Sequence, residues 1–138
     1  MSRIFFASGN RCVDPYPVYP MGMAVVSAAL EARGHEVLQF DLLSSGSDLA
    51  TLGAAAQAFR PDVICYSLRN VDTEDLENPD DFLLDADRAA VQALRAASGA
   101  PVVLGGAGFS LLPEPLLEFF GADYGIVGEG ERAAGDLV

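Results

Sequence analysis

Two cysteines, a single histidine, a run of acids and a cluster of glycines are the residues in this chain whose types and spacing could support catalysis or binding. Cys12 and Cys65 lie far apart and match neither a disulfide framework nor a metal-ligand spacing, which fits a reducing, cytoplasmic setting. Cys65 falls inside an apolar run and reads as core, whereas Cys12 stands in a polar stretch as the more exposed thiol. His35 sits in the short connector "ARGHE" and reads as surface structure rather than as a ligand or general base. The acids Asp72, Glu74, Asp75, Glu77, Asp80 and Asp81 could offer hard oxygens to a divalent cation. The same pattern describes a solvated loop whose last acids favour the positive end of a following helix. That reading is adopted, so no metal ligand and no catalytic residue is assigned.

The glycines are more informative. In "VVLGGAGFSLLPE", residues 102–114, an apolar run passes into Gly105, Gly106, Ala107 and Gly108 before a proline-started helix. Glycine is used where a backbone turns sharply or is approached closely. The segment imitates a dinucleotide fingerprint, but Leu111 stands where its third glycine belongs, and the segment follows the fourth apolar run rather than the first. A phosphate-cradling P-loop needs a lysine, and the chain has none. A phosphoacceptor receiver would need an aspartate ending the third run and an acidic pair ending the first; Tyr66, Ser67 and Ser8 stand there instead.

The elements that must position these residues follow from periodicity. "RIFFA" (3–7), "EVLQF" (36–40), "DVICY" (62–66), "PVVLG" (101–105) and "DYGIV" (123–127) read as strands buried on both faces. A first helix begins near Pro20 and ends at Gly34, and its small, apolar middle should lie close against a sheet. A second follows Ser47 as N-cap, with Leu49, Leu52, Ala56 and Phe59 on one face. A third presents Phe82, Ala86, Ala89, Ala90, Ala93, Leu94 and Ala97, with Asp85, Arg88, Gln92 and Arg95 opposite. A fourth runs from Pro113 to Phe120 and stops at Gly121. Strands alternating with helices predict an α/β fold: a three-layer α/β/α sandwich around a parallel sheet with right-handed crossovers. Ligands of such sheets bind beyond the carboxyl ends of the strands. The long loops lie at that end: "SGNRCVDPYPVY", "SLRNVDTEDLENPD", "GAGFSLL" and "GEGE".

Size and charge bound the function. With 138 residues, 51% of them hydrophobic, the chain reads as one soluble domain with its own core. A net charge of −12 repels nucleic acid and anionic membrane surfaces, so neither is expected as a partner. No signal peptide or membrane-spanning run is visible.

"PVYPMGMAVVSAALEARGHEV", "PDVICYSLRN" and "PVVLGGAGFSLLPEPLLEFFGADYGIVGEGE" together resemble the N-terminal cobalamin-binding domain of B12-dependent radical SAM enzymes, over nearly the whole chain. The resemblance implies a flavodoxin-like (Rossmann-like) five-stranded parallel sheet of order 2-1-3-4-5. It also implies that the nucleotide tail of cobalamin descends between strand ends while the corrin ring lies across them. Gly105, Gly106 and Gly108 would then leave space for tail and ring, within a cofactor-binding segment that includes Ala107, Phe109 and Ser110. Ser67 matches the serine that contacts the benzimidazole in related domains. Leu68 and the following Arg69, Asn70 and Val71 would border the corrin, and Gly128, Glu129 and Gly130 would lead toward the next domain.

Two departures from related patterns shape the expectation. Cobalamin domains of the methionine-synthase and mutase type carry Asp-x-His-x-x-Gly after the first strand; here that loop holds no histidine. The cobalt is therefore expected to lack a histidine below it, with Asn10, Arg11, Cys12 and Val13, or Arg69 to Val71, as its neighbours. The three-cysteine motif of radical SAM chemistry is also absent. The resemblance thus implies residues 1–138 as the N-terminal part of a longer enzyme whose missing C-terminal radical SAM domain binds S-adenosylmethionine, a [4Fe-4S] cluster and a small-molecule substrate. Methyl transfer to an unactivated carbon is the leading reaction, ring formation and rearrangement being the others known in the wider group. The alternative is a stand-alone flavodoxin-like module that holds a mononucleotide or a protein partner.

Overall fold

The computed structural model describes residues 1–71 and 83–138; the acidic stretch from Asp72 to Asp81, and Phe82, lie outside the described residues. Five parallel strands, β1 (Arg3–Ser8), β2 (Glu36–Asp41), β3 (Val63–Ser67), β4 (Val102–Gly105) and β5 (Tyr124–Gly125), form one sheet of order β2-β1-β3-β4-β5. This is the flavodoxin-like order that the sequence implies. Between the strands run α1 (Met21–Ala32), α2 (Leu49–Phe59), α3 (Leu84–Ser98), α4 (Ala107–Leu111) and α5 (Pro113–Phe120), and α6 (Gly130–Leu137) follows β5.

Strand alternation divides the core in two. Phe5, Ala7, Ile64, Tyr66, Val102 and Leu104 point to one face, where Leu52 and Ala56 of α2, Ala90, Val91 and Leu94 of α3, and Leu116 and Phe120 of α5 cover them. Ile4, Phe6, Cys65 and Val103 point to the other, against Met23 and Leu30 of α1 and Ala134 of α6. Each large apolar side chain buried in this way contributes about 1.5–3 kcal/mol. The first face carries most of them, and the second is the thinner layer.

Several boundaries differ from the sequence expectation, each for a local reason. Asp48, not Ser47, caps α2: its carboxylate accepts from Ala50 N at 3.2 Å and Thr51 N at 3.0 Å, while Ser47 turns the chain at φ 59°. Pro20 precedes α1 rather than opening it. "DYGIV" shortens to two paired residues at the sheet edge, although Ile126 N still donates to Leu104 O at 2.8 Å. "GAGFSLL" contains α4, whose five residues are too few to show a period; Ser110 Oγ donates back to Gly106 O at 3.0 Å. The buried face of α3 is rotated from the expected one: Asp87, Ala90, Val91 and Leu94 face inward and Ala86 is exposed. A buried acid disguises that stripe.

Candidate functional site

The two sheet rows nearest the carboxyl ends, on the thin face, build the site. Registered pairs place Phe6, Cys65 and Val103 side by side, and two residues further along Ser8, Ser67 and Gly105. Because strand side chains alternate, both rows face α1 and α6. The deeper row is apolar and the upper one is small. Above the central strands α1 and α6 leave a cleft of ≈ 420 Å³, walled by Val26 of α1, Ala134 of α6 and Ile126. Its mouth is formed by Ser67, the turn Gly105–Gly106–Ala107, Ser110 and the turn from Gly128 to Glu131. That volume lies within the roughly 300–1,000 Å³ range of small-molecule sites.

The slot opens at Gly22, Ser67, Gly106 and Ala107 onto a second cleft of ≈ 310 Å³, a shelf across the ends of β1 and β3. Ser8, Asn10, Arg69, Tyr19 and Met21 line the shelf. Asn10 is buried; its Oδ1 accepts from Cys12 N at 3.2 Å, while its Nδ2 has no partner among the described residues. A buried amide donor without an acceptor is costly, and a ligand carbonyl on the shelf would satisfy it.

The glycines divide by function. Gly105 has room: a Cβ there would meet nothing closer than Ile126 O at 3.8 Å. Sharing the parity of Val103, it opens the slot. Gly106 sits at φ 98°, and a Cβ would lie 2.6 Å from Leu68 O and 2.9 Å from Ser67 Oγ. A Cβ at Gly108 would lie 2.9 Å from Arg69 O. These two glycines admit the chain's own 67–69 backbone, whereas the sequence reading assigned all three to ligand space. Ser110 Oγ accepts from Gly128 N at 2.9 Å and so ties the two turns of the mouth together.

The other singled-out residues lie elsewhere. Leu68 and Phe109 are buried in the thick-face core, and Val71 packs against it. Val13 is exposed and lines neither cleft. Asn70 Nδ2 approaches the half-buried Cys12 Sγ at 3.9 Å. Glu129 and Gly130 stand at the slot mouth, where a Cβ on Gly130 would press on Val26 at 3.1 Å and part α6 from α1. His35 precedes β2, at the amino end of the sheet, where its Nδ1 accepts from Ser2 N at 3.2 Å.

Arg11 turns to the thick face. Its Nη1 donates to Asp87 Oδ1 at 2.7 Å and to Gly9 O at 3.2 Å, and its Nη2 donates to Ala86 O at 3.2 Å. Tyr66 donates its hydroxyl to the same Asp87 oxygen at 2.5 Å. Burial pushes the Asp87 carboxyl above its ordinary value, opposed by the Tyr66 hydroxyl and the Arg11 guanidinium. Burial, and then Asp87, hold the Tyr66 phenol protonated. Gly9 is glycine because a Cβ would fall 2.5 Å from Asp87 Oδ1. The cluster pins the β1 loop to α3 while Asn10 remains at the shelf.

Sequence reasoning overlooked the slot's floor and walls. Phe6 and Val103 looked like core, and so did Cys65, whose thiol burial pushes up to about 12. The signal available was parity, since each lies two residues before a small or polar strand-end residue. Asp87 carried no signal beyond an acid inside an apolar stripe.

The chain matches the B12 binding domain family over residues 11–138. It is 37% identical over 122 residues to a tryptophan 2-C-methyltransferase of Streptomyces laurentii, covering 88% of this chain and 20% of that one. The structure of the radical S-adenosylmethionine methyltransferase TsrM from Kitasatospora setae, with cobalamin and a [4Fe-4S] cluster bound, superposes with a TM-score of 0.89 at 32% identity, over 98% of this chain and 25% of that one. The cobalamin-dependent S-adenosylmethionine radical enzyme OxsB, at 19% identity over 99% of this chain and 18% of its own, shares the fold with a TM-score of 0.69. This chain thus spans a fifth to a quarter of the length of the two methyltransferases.

Proposed function

The chain belongs to the B12-binding domain family, and from that premise we propose that it is the cobalamin-carrying module of a B12-dependent radical S-adenosylmethionine methyltransferase. The observation that carries the reading is the apolar slot beneath Gly105, continuous with a shelf whose buried Asn10 amide lacks an acceptor. The slot would take the nucleotide tail, with Ser67 at its lip able to hydrogen-bond the base. The shelf would take one face of the corrin, where Asn10 could donate to a peripheral amide carbonyl and Arg69 would supply charge. Bound there, cobalamin would supply a cobalt centre that relays a methyl group.

The chain's own residues set the conditions for that chemistry. Phe6, Cys65 and Val103 exclude water from the tail's end. The Asp87–Arg11 clamp fixes the loop that carries Asn10. The sole histidine of these 138 residues stands at the far end of the sheet and lines neither cleft, so it would not ligate a cobalt held on the shelf.

Residues 1–138 are, in this reading, the N-terminal domain of a longer chain. Its radical S-adenosylmethionine domain would hold the cluster, the methyl donor and a small-molecule substrate. Tryptophan, named for both methyltransferase relatives, is the first substrate to try. Equilibrium dialysis against hydroxocobalamin tests the module: saturable binding at one site per chain is expected, and folded protein that retains none refutes the reading. A Cys-x-x-x-Cys-x-x-Cys motif C-terminal to Val138 in the parent coding sequence tests the larger assignment.

A further inference from the structure

Cobamides differ in the base that ends their nucleotide tail, and the slot's chemistry bears on which base it accepts. Its floor and walls are Phe6, Val26, Cys65, Val103, Ile126 and Ala134. None offers a charged or strong hydrogen-bonding side chain, and the Cys65 thiol is kept neutral by burial. The main chain beneath it is committed to the ladder that pairs Phe6 with Cys65 and Cys65 with Val103. Polar side chains appear only at the mouth. There Ser110 is already engaged with Gly106 O and Gly128 N, which leaves Ser67 and the glutamates at the start of α6.

We infer that the slot discriminates between cobamides by their terminal base, accepting an alkylated benzimidazole and rejecting a purine such as adenine. This rests on the slot being the seat of the nucleotide tail. Both bases offer an imidazole-type nitrogen to Ser67, so the selection falls on the far ring. A dimethylated benzene ring meets only carbon and sulfur there, and its burial is favourable. The six-membered ring of adenine carries two ring nitrogens and an exocyclic amine, and each would leave water for a floor with no side-chain partner. Removing or mispairing such groups shifts affinity by about tenfold to a hundredfold.

Three ligands decide the matter in one titration series on the folded chain: cobalamin, the adenine-containing cobamide, and cobinamide, which lacks the nucleotide. Cobalamin is expected to bind about tenfold to a hundredfold more tightly than the adenine form, with cobinamide weaker than cobalamin. Val103→Thr, which keeps the shape of the floor but adds a hydroxyl, should narrow the gap between the two cobamides. Cys65→Ser should act in the same direction if the first variant fails to fold. Equal affinity for the two cobamides overturns base selection and leaves the cobalamin module standing. Cobinamide binding as tightly as cobalamin shows that the slot does not hold the tail and overturns the inference at its root. If none of the three binds, the module reading fails with it.

Discussion

Gly105 and Gly106 are neighbours in sequence, yet the structure gives them opposite reasons for lacking a side chain, and substituting each in turn separates ligand space from chain space. Gly105→Val adds a β-branched side chain to a strand end where the nearest atom to its Cβ is Ile126 O at 3.8 Å. Folding should be nearly unaffected. The new methyl groups project into the slot from the position two residues beyond Val103, where the cofactor tail must pass. Accommodating them costs on the order of 1–3 kcal/mol, so affinity for hydroxocobalamin should fall about tenfold to a hundredfold. Gly106→Ala should do the reverse. Its backbone at φ 98°, ψ 173° lies in a region almost reserved for glycine, at a strain of about 1–3 kcal/mol for any other residue. The added Cβ also meets Leu68 O at 2.6 Å. Together these destabilise by roughly 2–5 kcal/mol, or a fall of about 7–17 °C in melting temperature for a domain of this size. Thermal melts with parallel titrations read both effects. Wild-type affinity in a well-folded Gly105→Val chain would falsify the assignment of the slot to the cofactor, and an unchanged melt for Gly106→Ala would refute the backbone argument.

Four further outcomes follow from the same geometry. Asp87→Ala leaves Arg11 and the Tyr66 hydroxyl without their shared partner, and should cost about 3–5 kcal/mol in urea unfolding; a loss below about 0.5 kcal/mol, the range of an ordinary surface change, would contradict the clamp. At pH 8 a thiol reagent should modify Cys12 in the folded chain much faster than Cys65, because burial pushes the latter up to about 12 and so keeps it from forming the reactive thiolate. The unfolded thiol ionises from about pH 8.5 while the folded one does not, so stability should fall as pH rises from there toward 12; Cys65→Ala should remove that component, and a wild-type slope in the variant would contradict it. His35→Ala should leave the visible spectrum and the affinity for hydroxocobalamin unchanged, since the ring lies at the amino end of the sheet; a spectral shift would place the histidine at cobalt.

The sheet was legible in the sequence because strands buried on both faces leave continuous apolar runs, and the helices between them force parallel crossovers. The long loops fall at the carboxyl ends of the strands, the edge along which both clefts lie. What periodicity could not show was the slot, which forms only when Phe6, Val26, Val103 and Ala134 meet across four elements. Nor could it divide the glycines, since only the fold reveals that Leu68 and Arg69 press on Gly106 and Gly108 while Gly105 faces open space. Arg11 is a comparable case. It stands beside Asn10 in sequence and would pass for a cofactor contact, but a buried acid on α3 draws it to the opposite face of the sheet. That acid was hidden because Asp87 occupies a helix position that periodicity reserves for an apolar residue.

In the proposed complex the slot holds the cofactor's base away from the metal, and His35 does not replace it. The most direct test of this arrangement is the visible spectrum of the folded chain after incubation with hydroxocobalamin and removal of free ligand at neutral pH. Retained cobalamin with the spectrum of a benzimidazole-off, histidine-off form is expected, unchanged in His35→Ala and diminished in Gly105→Val. Retained cobalamin with its benzimidazole still on cobalt, or a folded chain that retains none, would contradict it.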